Sequence, residues 1–298
     1  LKWRNTGMRI AVNGVWGNLG VASAALITGF LIDHGGWRLA FVLPGALSVA
    51  IGLAYAWLRW DSIRTEHAAP SAETKQSGAR MSLSTKRSLL RVSCIVFFTT
   101  ALASIVFQST TFALPKMFEE QLAGLSQRLA DWVDGNTEGH GDVATVIGLL
   151  AFLVFAVASS AQLVVGALLD RYGPRPVFMA VAAMQVVFFS LMPGLTDIAA
   201  LAVALGFMLG AFGQIPINDF MIGKMASGAA RARVYGIRYV VAFTALAATL
   251  PLIAFVYDRW GFDTLFGVLA VAAFLILSAV AMLPHRLPSA EPSTVAAE

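Results

Sequence analysis

The chain has 298 residues, 58% of them hydrophobic and only 13% charged, with a mean hydropathy of +0.73. Soluble domains carry about 25% charged residues, so the composition excludes an ordinary soluble protein, and its apolar runs are continuous rather than alternating, which excludes a transmembrane barrel. The net charge of +4 is read as basic loops on one membrane face, not as a nucleic-acid surface.

A bilayer core takes roughly 20 apolar residues per helix. Eight runs meet that length, near 10–31, 39–58, 92–114, 144–169, 176–192, 198–223, 236–257 and 262–283. The expected fold is therefore an all-α polytopic membrane protein with eight transmembrane helices. A single cysteine, Cys94, rules out an intrachain disulfide. The chain opens Leu1-Lys2-Trp3-Arg4, with neither an initiator Met nor a signal peptide, and is expected to be the tail of a longer one.

The first run carries Asn13-Gly14-Val15-Trp16-Gly17-Asn18-Leu19-Gly20 and later Gly29. Small residues along one flank favour close helix packing. Asn13 and Asn18 are amides at membrane depth and should face protein or water rather than lipid. Asp33-His34-Gly35-Gly36-Trp37-Arg38 closes the hairpin to the second run, and Trp37 suits an interfacial aromatic belt. No second His or Cys stands at ligand spacing to His34, His67, His140 or His285, so no metal site is expected.

Residues 60–88 are rich in Ser, Thr, Ala, Lys and Arg and lack apolar periodicity, which reads as a linker. The third run bears Thr99, Thr100, Ser104, Gln108, Ser109, Thr110 and Thr111. Beyond it, over 115–142, Leu122, Leu125, Leu129, Trp132 and Val133 share one helical face opposite Glu119, Glu120, Gln127, Arg128 and Asp131. That pattern predicts an amphipathic helix lying on the outer membrane surface or capping the cavity.

The fourth run ends in Gly166-Ala-Leu-Leu-Asp170-Arg171-Tyr-Gly173-Pro-Arg175, a sharp basic turn between two membrane helices. The sixth run holds Gln214, Pro216, Asn218 and Asp219. Gln214 and Asn218 are four apart and so share a face. Pro216 cannot donate its backbone hydrogen bond and permits a kink. Gln162 and Gln185 are further amides inside apolar runs.

The turn pattern Gly-x-x-x-Asp-Arg-x-Gly-x-Arg at 166–175 resembles the cytoplasmic signature loop of the major facilitator superfamily of transporters. Gly-Trp-Arg at 36–38 resembles the start of that family's sixth helix. Gly20-Val21 stands where the antiporter branch carries Gly-Pro, so that branch's signature is missing. The resemblance implies helices five to twelve of a twelve-helix protein. Residues 1–59 would be the last two helices of the N-terminal half, 60–88 the cytoplasmic linker, and 89–298 the C-terminal six-helix half. With the 170–176 loop inside, all but four of the 21 Lys and Arg residues fall on the inner face, the exceptions being Arg38, Lys116, Arg128 and Arg259. That is the positive-inside asymmetry.

A pattern internal to the chain points the same way. Gly29 to Gly36, Gly166 to Gly173 and Ala254 to Gly261 each read small-x-x-x-Asp-basic-x-Gly, three helices apart. Three-helix units in alternating orientation are the inverted repeat of secondary transporters.

The resemblance implies that 92–114 and 198–223 line the central cavity. Candidate solute contacts are then Gln214, Asn218, Gln108, Gln162 and Asn18, with Pro216 as bending point. Gly166, Asp170, Arg171, Gly173 and Arg175 would form the signature loop. Asp219 would pair with Arg171 or Arg175 as an inner gate. The expected activity is secondary active transport of a small solute across the cell (inner) membrane, not catalysis, with no cofactor. The partners are the solute, a coupling ion, the lipid bilayer and the four earlier helices. No acid or base stands near the middle of a run, so coupling would fall to residues outside this chain. The alternative is a non-transporting membrane scaffold that keeps the fold.

Overall fold

The computed structural model describes residues 6–60, 83–134, 143–225 and 229–284. The described elements are helices: α1 (Thr6–Leu58), α2 (Leu83–Gln121), α3 (Ala123–Asp134), α4 (Val143–Tyr172), α5 (Pro174–Leu191), α6 (Asp197–Met225) and α7 (Ala229–Ala281). Among the described residues, six helical stretches are long and apolar enough to cross a membrane. The molecule is an all-α polytopic membrane protein.

Two of the seven helices are double. α1 and α7 are each 53 residues long and lose helical geometry at a glycine, Gly36 in α1 and Gly261 in α7. A single positive-φ glycine between helical neighbours ends one helix and starts the next with no loop. These breaks fall where the sequence separates its first two and its last two apolar runs. Two further boundaries differ from expectation. α2 begins at Leu83, inside the stretch read as linker, because neither Gly nor Pro interrupts the chain from Met81 to Leu114. It also runs through Pro115 to Gln121. The remainder of the expected linker, 61–82, lies outside the described residues.

The glycine of each small-x-x-x-Asp-basic-x-Gly segment has one backbone conformation: φ 73° and ψ 173° at Gly36, φ 82° and ψ 172° at Gly173, φ 74° and ψ −173° at Gly261. L-residues rarely enter that region, which is why a glycine stands at the end of all three. Two segments share more. His34 stacks on Phe30 at 4.1 Å between ring centroids, and the Arg259 guanidinium lies 4.1 Å from the Phe255 ring centroid. In both, the basic residue covers an aromatic one turn earlier. The middle segment has Ala167 at that position, and Arg171 lies over Tyr172 instead.

α6 is the central helix. It packs on α2, α4, α5 and α1, while α7 packs on α2 and α5. Phe207 of α6 stacks on Phe189 of α5 at 5.0 Å and meets Phe266 of α7 at 5.4 Å. One and a half turns on, Phe212 meets Phe107 of α2 and Phe155 of α4 at 5.2 and 5.9 Å. Lipid is as apolar as these side chains, so close packing rather than burial from water favours the assembly. Gly206 and Gly210 of α6 make room for Phe188 and Gln185 of α5, whose side chains occupy the space a Cβ would need. Residues 37–58 of α1 are mostly exposed, with Phe41 at 75% and Trp57 at 80%.

α3 is amphipathic as its spacing predicts. Leu122 and Ser126 are buried, Leu125 and Leu129 are half-buried, and Gln127 and Arg128 face outward. Its start is held by Asp197, the first residue of α6, whose carboxylate accepts the Leu125 N–H at 3.1 Å. Asp197 has φ 50°, the one positive φ at a non-glycine residue among those described. The Trp132 and Val133 side chains lie outside the described residues.

Candidate polar cavity

α1 and α4 run antiparallel and exchange caps. Asp170, near the end of α4, accepts the N–H groups of Gly7 and Met8 at 2.9 and 3.0 Å. Asp33, at the far end of the first half of α1, accepts the Thr145 N–H at 2.8 Å and also its hydroxyl. Each carboxylate thereby satisfies amide donors that the first turn of the other helix leaves unpaired, and it also sits at the positive end of that helix's dipole. Between the caps the backbones nearly touch: a Cβ on Gly166 would stand 2.7 Å from Ala11 Cβ and 2.8 Å from the Gly7 carbonyl. Gly166 and Asp170 thus both serve the contact with α1. Gly173 supplies the turn, and Pro174 opens α5 with its fixed φ. Arg175 reaches across to donate to the Ala281 carbonyl at the end of α7, at 2.9 Å.

Asp219 and Arg238 come together for a reason of length. Asp219 lies six residues before the end of α6, and Arg238 nine residues after the start of α7. At 1.5 Å per residue both stand ~9–14 Å from the three-residue connection, so consecutive helices bring them to one depth. They form an ion pair, with the Arg238 side chain 17% exposed and that of Asp219 27%. The Tyr235 hydroxyl lies 3.5 Å from the Asp219 carbonyl, to which it donates. The expected partners of Asp219, Arg171 and Arg175, are not its partners here: Arg171 covers Tyr172 and Arg175 caps α7. Because α7 begins at Ala229, Arg238 lies well inside the helix.

A cavity of about 340 Å³ opens beside the pair. α1 contributes Arg9, Asn13 and Gly14, α6 contributes Asp219, and α7 contributes Tyr235, Arg238 and Tyr239. Behind Gly14 stands Gln162, whose side-chain carbonyl occupies the space a Cβ would need. Two guanidiniums, one carboxylate, two phenols and an amide can hydrogen-bond and pair with charge. Among the described residues no three His, Cys, Asp or Glu side chains are grouped to hold a metal.

Of the candidate hydroxyls on α2, Thr99 returns to Ile95 and Val96, Thr110 to Val106 and Phe107, and Thr111 to Phe107, whereas Thr100 and Ser109 are buried with no hydrogen-bond partner among the described residues. Such back-bonding satisfies a hydroxyl without a partner helix. Amides have no such outlet. Gln162 and Gln185 are fully buried, Gln214 is 2% and Asn218 6% exposed. Among the described residues, both polar atoms of Gln162 and Gln185, Gln214 Nε2 and Asn218 Oδ1 find no hydrogen-bond partner. Asn18 is buried one turn beyond Gly14, and Gln108 is half-buried. The backbone stays helical through Pro216, which frees the Phe212 carbonyl without ending α6. Of the sequence candidates, Asp219 lines the cavity and Gln162 adjoins it. Gln214 and Asn218 do not line it. Sequence reasoning missed Arg9, Tyr235 and Tyr239, although a signal was there: Arg9 and Asn13 stand four apart, Tyr235 and Arg238 three apart, and Tyr235 and Tyr239 four apart, which puts each set on one helical face.

The sequence profile of the Major Facilitator Superfamily matches residues 2–136 and 136–298, which together cover nearly the whole chain. The chain belongs to the Major Facilitator Superfamily. It is accordingly a membrane transporter of the kind that moves small solutes. No individually curated protein matches it. For a Major Facilitator Superfamily member, the cap exchange between α1 and α4 gives the 166–175 turn a structural role, since Asp170 ties the end of α4 to the start of α1.

Proposed function

We propose that the chain is the larger part of a secondary active transporter that moves a small solute across the cell (inner) membrane by alternating access. The observation that carries this reading is the polar cavity holding the Asp219–Arg238 pair among helices that are otherwise apolar. Charged side chains at membrane depth are costly to keep and commonly mark a solute or ion path.

In this reading α1 and α7 are each two spans, giving eight, and the three glycine-ended segments delimit three-helix units of alternating orientation. The shared dihedrals at Gly36, Gly173 and Gly261 support that. The Asp170 end faces the cytoplasm, and the linker between halves ends where α2 begins at Leu83. Asp219 and Arg238 close the inner end of the path and separate when it opens. Gln214, Asn218, Gln108, Gln162 and Asn18 supply amides along the path, with Pro216 as a point of bending. Coupling to an ion falls to residues outside the described ones.

The test is counterflow in proteoliposomes carrying the full-length protein, with a library of radiolabelled solutes. At least one solute should exchange, and Arg238→Gln should abolish that exchange while the protein stays folded. Folded protein that exchanges none of them would instead favour a scaffold that keeps the fold.

A further inference from the structure

We propose that the cavity between α1, α6 and α7 is a binding site for a soluble monocarboxylate, a small organic acid bearing one negative charge. This rests on the transporter reading above and names the substrate class for its site. The argument is charge balance along the wall of an open cavity. The cavity lining holds two guanidiniums, Arg9 and Arg238, against one carboxylate, Asp219. Arg238 is spent on Asp219. Arg9 makes no ion pair among the described residues, and Asp170, near the end of α4, is engaged by the backbone N–H groups of Gly7 and Met8 at the start of α1.

The lining therefore carries one positive charge, near the start of α1, that has no acidic partner among the described residues. A ligand with a single negative charge brings it to zero. A carboxylate fits the fork of a guanidinium with two parallel hydrogen bonds. The rest of the wall suits the body of such a ligand: Tyr235 and Tyr239 offer aromatic faces with polar tips, and Asn13 offers an amide. A volume of about 340 Å³ lies at the small end of ligand pockets, so the acid is small.

Asp219 is then the ligand's competitor. Its carboxylate holds Arg238 while the cavity is empty, and an arriving carboxylate on Arg9 stands beside that pair. Removing the Asp219 charge frees a second guanidinium and should tighten binding. A site for a cation or a proton makes the opposite prediction.

Binding is tested apart from transport, so loss of one reading does not entail loss of the other. The full-length protein is placed in nanodiscs of phosphatidylcholine alone and titrated with acetate, lactate and benzoate, and with benzamide and benzylamine as neutral and cationic matches to benzoate. Thermal unfolding reads the binding. At least one carboxylate should stabilise the protein saturably, and the amide and amine should not. Arg9→Gln should weaken that carboxylate at least tenfold, Arg9→Lys should lose less, and Asp219→Asn should tighten it severalfold. The unliganded melting temperature of each variant reports its folding. Equal stabilisation by benzamide and benzoate would refute the charge argument. So would weaker binding in folded Asp219→Asn, or the absence of any carboxylate effect on folded wild-type protein. Stabilisation seen only when phosphatidylglycerol is added to the discs would assign the site to a lipid headgroup phosphate and overturn the proposal.

Discussion

Gly7 and Gly166 face one another across α1 and α4 with no room for a side chain on either: a Cβ on Gly7 would stand 2.5 Å from the Gly166 carbonyl oxygen. Backbone is the obstacle, so no rotamer change relieves it. Gly166→Ala should destabilise the protein by about 1–3 kcal/mol, the usual cost of overpacking. Gly17→Ala is the control, because a Cβ there meets nothing within 4 Å. Thermal unfolding in detergent should separate the two, and equal melting temperatures would mean that the helices are free to move apart.

The two caps at opposite ends of this pair should act independently. Asp33→Ala and Asp170→Ala each remove a side-chain acceptor from a helix start, a change worth ~0.5–2 kcal/mol. The sites share no partner, so the double variant should lose the sum of the single losses to within ~0.5 kcal/mol. Chemical denaturation of all three variants measures this. A double variant no less stable than either single one would show that the caps break together as a unit.

The ion pair between α6 and α7 makes a sharper claim about partners. Asp219→Arg combined with Arg238→Asp should recover much of the function that each single change removes. Asp219→Arg combined with Arg171→Asp should recover none, because Arg171 lies over Tyr172. Single cysteines in α2, in a protein with Cys94 replaced, would report accessibility to a cytoplasmic thiol reagent. If the pair closes the inner end, Asp219→Asn should raise that accessibility. A coupling of ~1.4 kcal/mol corresponds to a tenfold change in the ratio of the two states. Rescue by the Arg171 combination would reinstate the partner expected from the sequence.

Gln185 and Gln162 look alike in burial and should differ in consequence. Gln185 packs against Gly210, away from the cavity, with both polar atoms unpartnered among the described residues. Replacing a buried unpaired polar group by an apolar one of similar shape is neutral or stabilising. Gln185→Leu should therefore keep or raise the melting temperature and leave transport intact. Gln162→Leu, behind Gly14 at the cavity, should lower solute affinity. A transport loss with Gln185→Leu would give that residue a role along the path.

Most of the fold could be read from the chain because membrane helices announce themselves. Long apolar runs fix the helices, and the glycines at 36, 173 and 261 fix the breaks without reference to any partner. At Gly166–Asp170 the sequence marked the place but not the use, since Asp170 accepts backbone N–H groups from the start of a distant helix. What the sequence hid was rotation. A helix apolar on every side has no stripe to say which face meets which neighbour. So the pairing of Asp219 with Arg238 rather than Arg171, the meeting of Arg9 with two tyrosines of α7, and the turning of Gln185 toward Gly210 all had to await the packed structure. The start of α2 at Leu83 was hidden for another reason. Lys, Arg and Ser do not forbid a helix; they only fail to advertise one.

The common backbone shape at Gly36, Gly173 and Gly261 has a practical corollary for protein engineering. Three eight-residue stretches, 29–36, 166–173 and 254–261, end in the same dihedral state, so each is a natural splice point. Chimeras joined at these glycines would inherit a turn already in shape at both ends of the exchanged piece. The fit should fail at one known place: 166–173 carries Ala167 where the other two carry Phe30 and Phe255. A donor segment would arrive there with an aromatic ring that the recipient helix pair, drawn close around Gly166, has to accommodate.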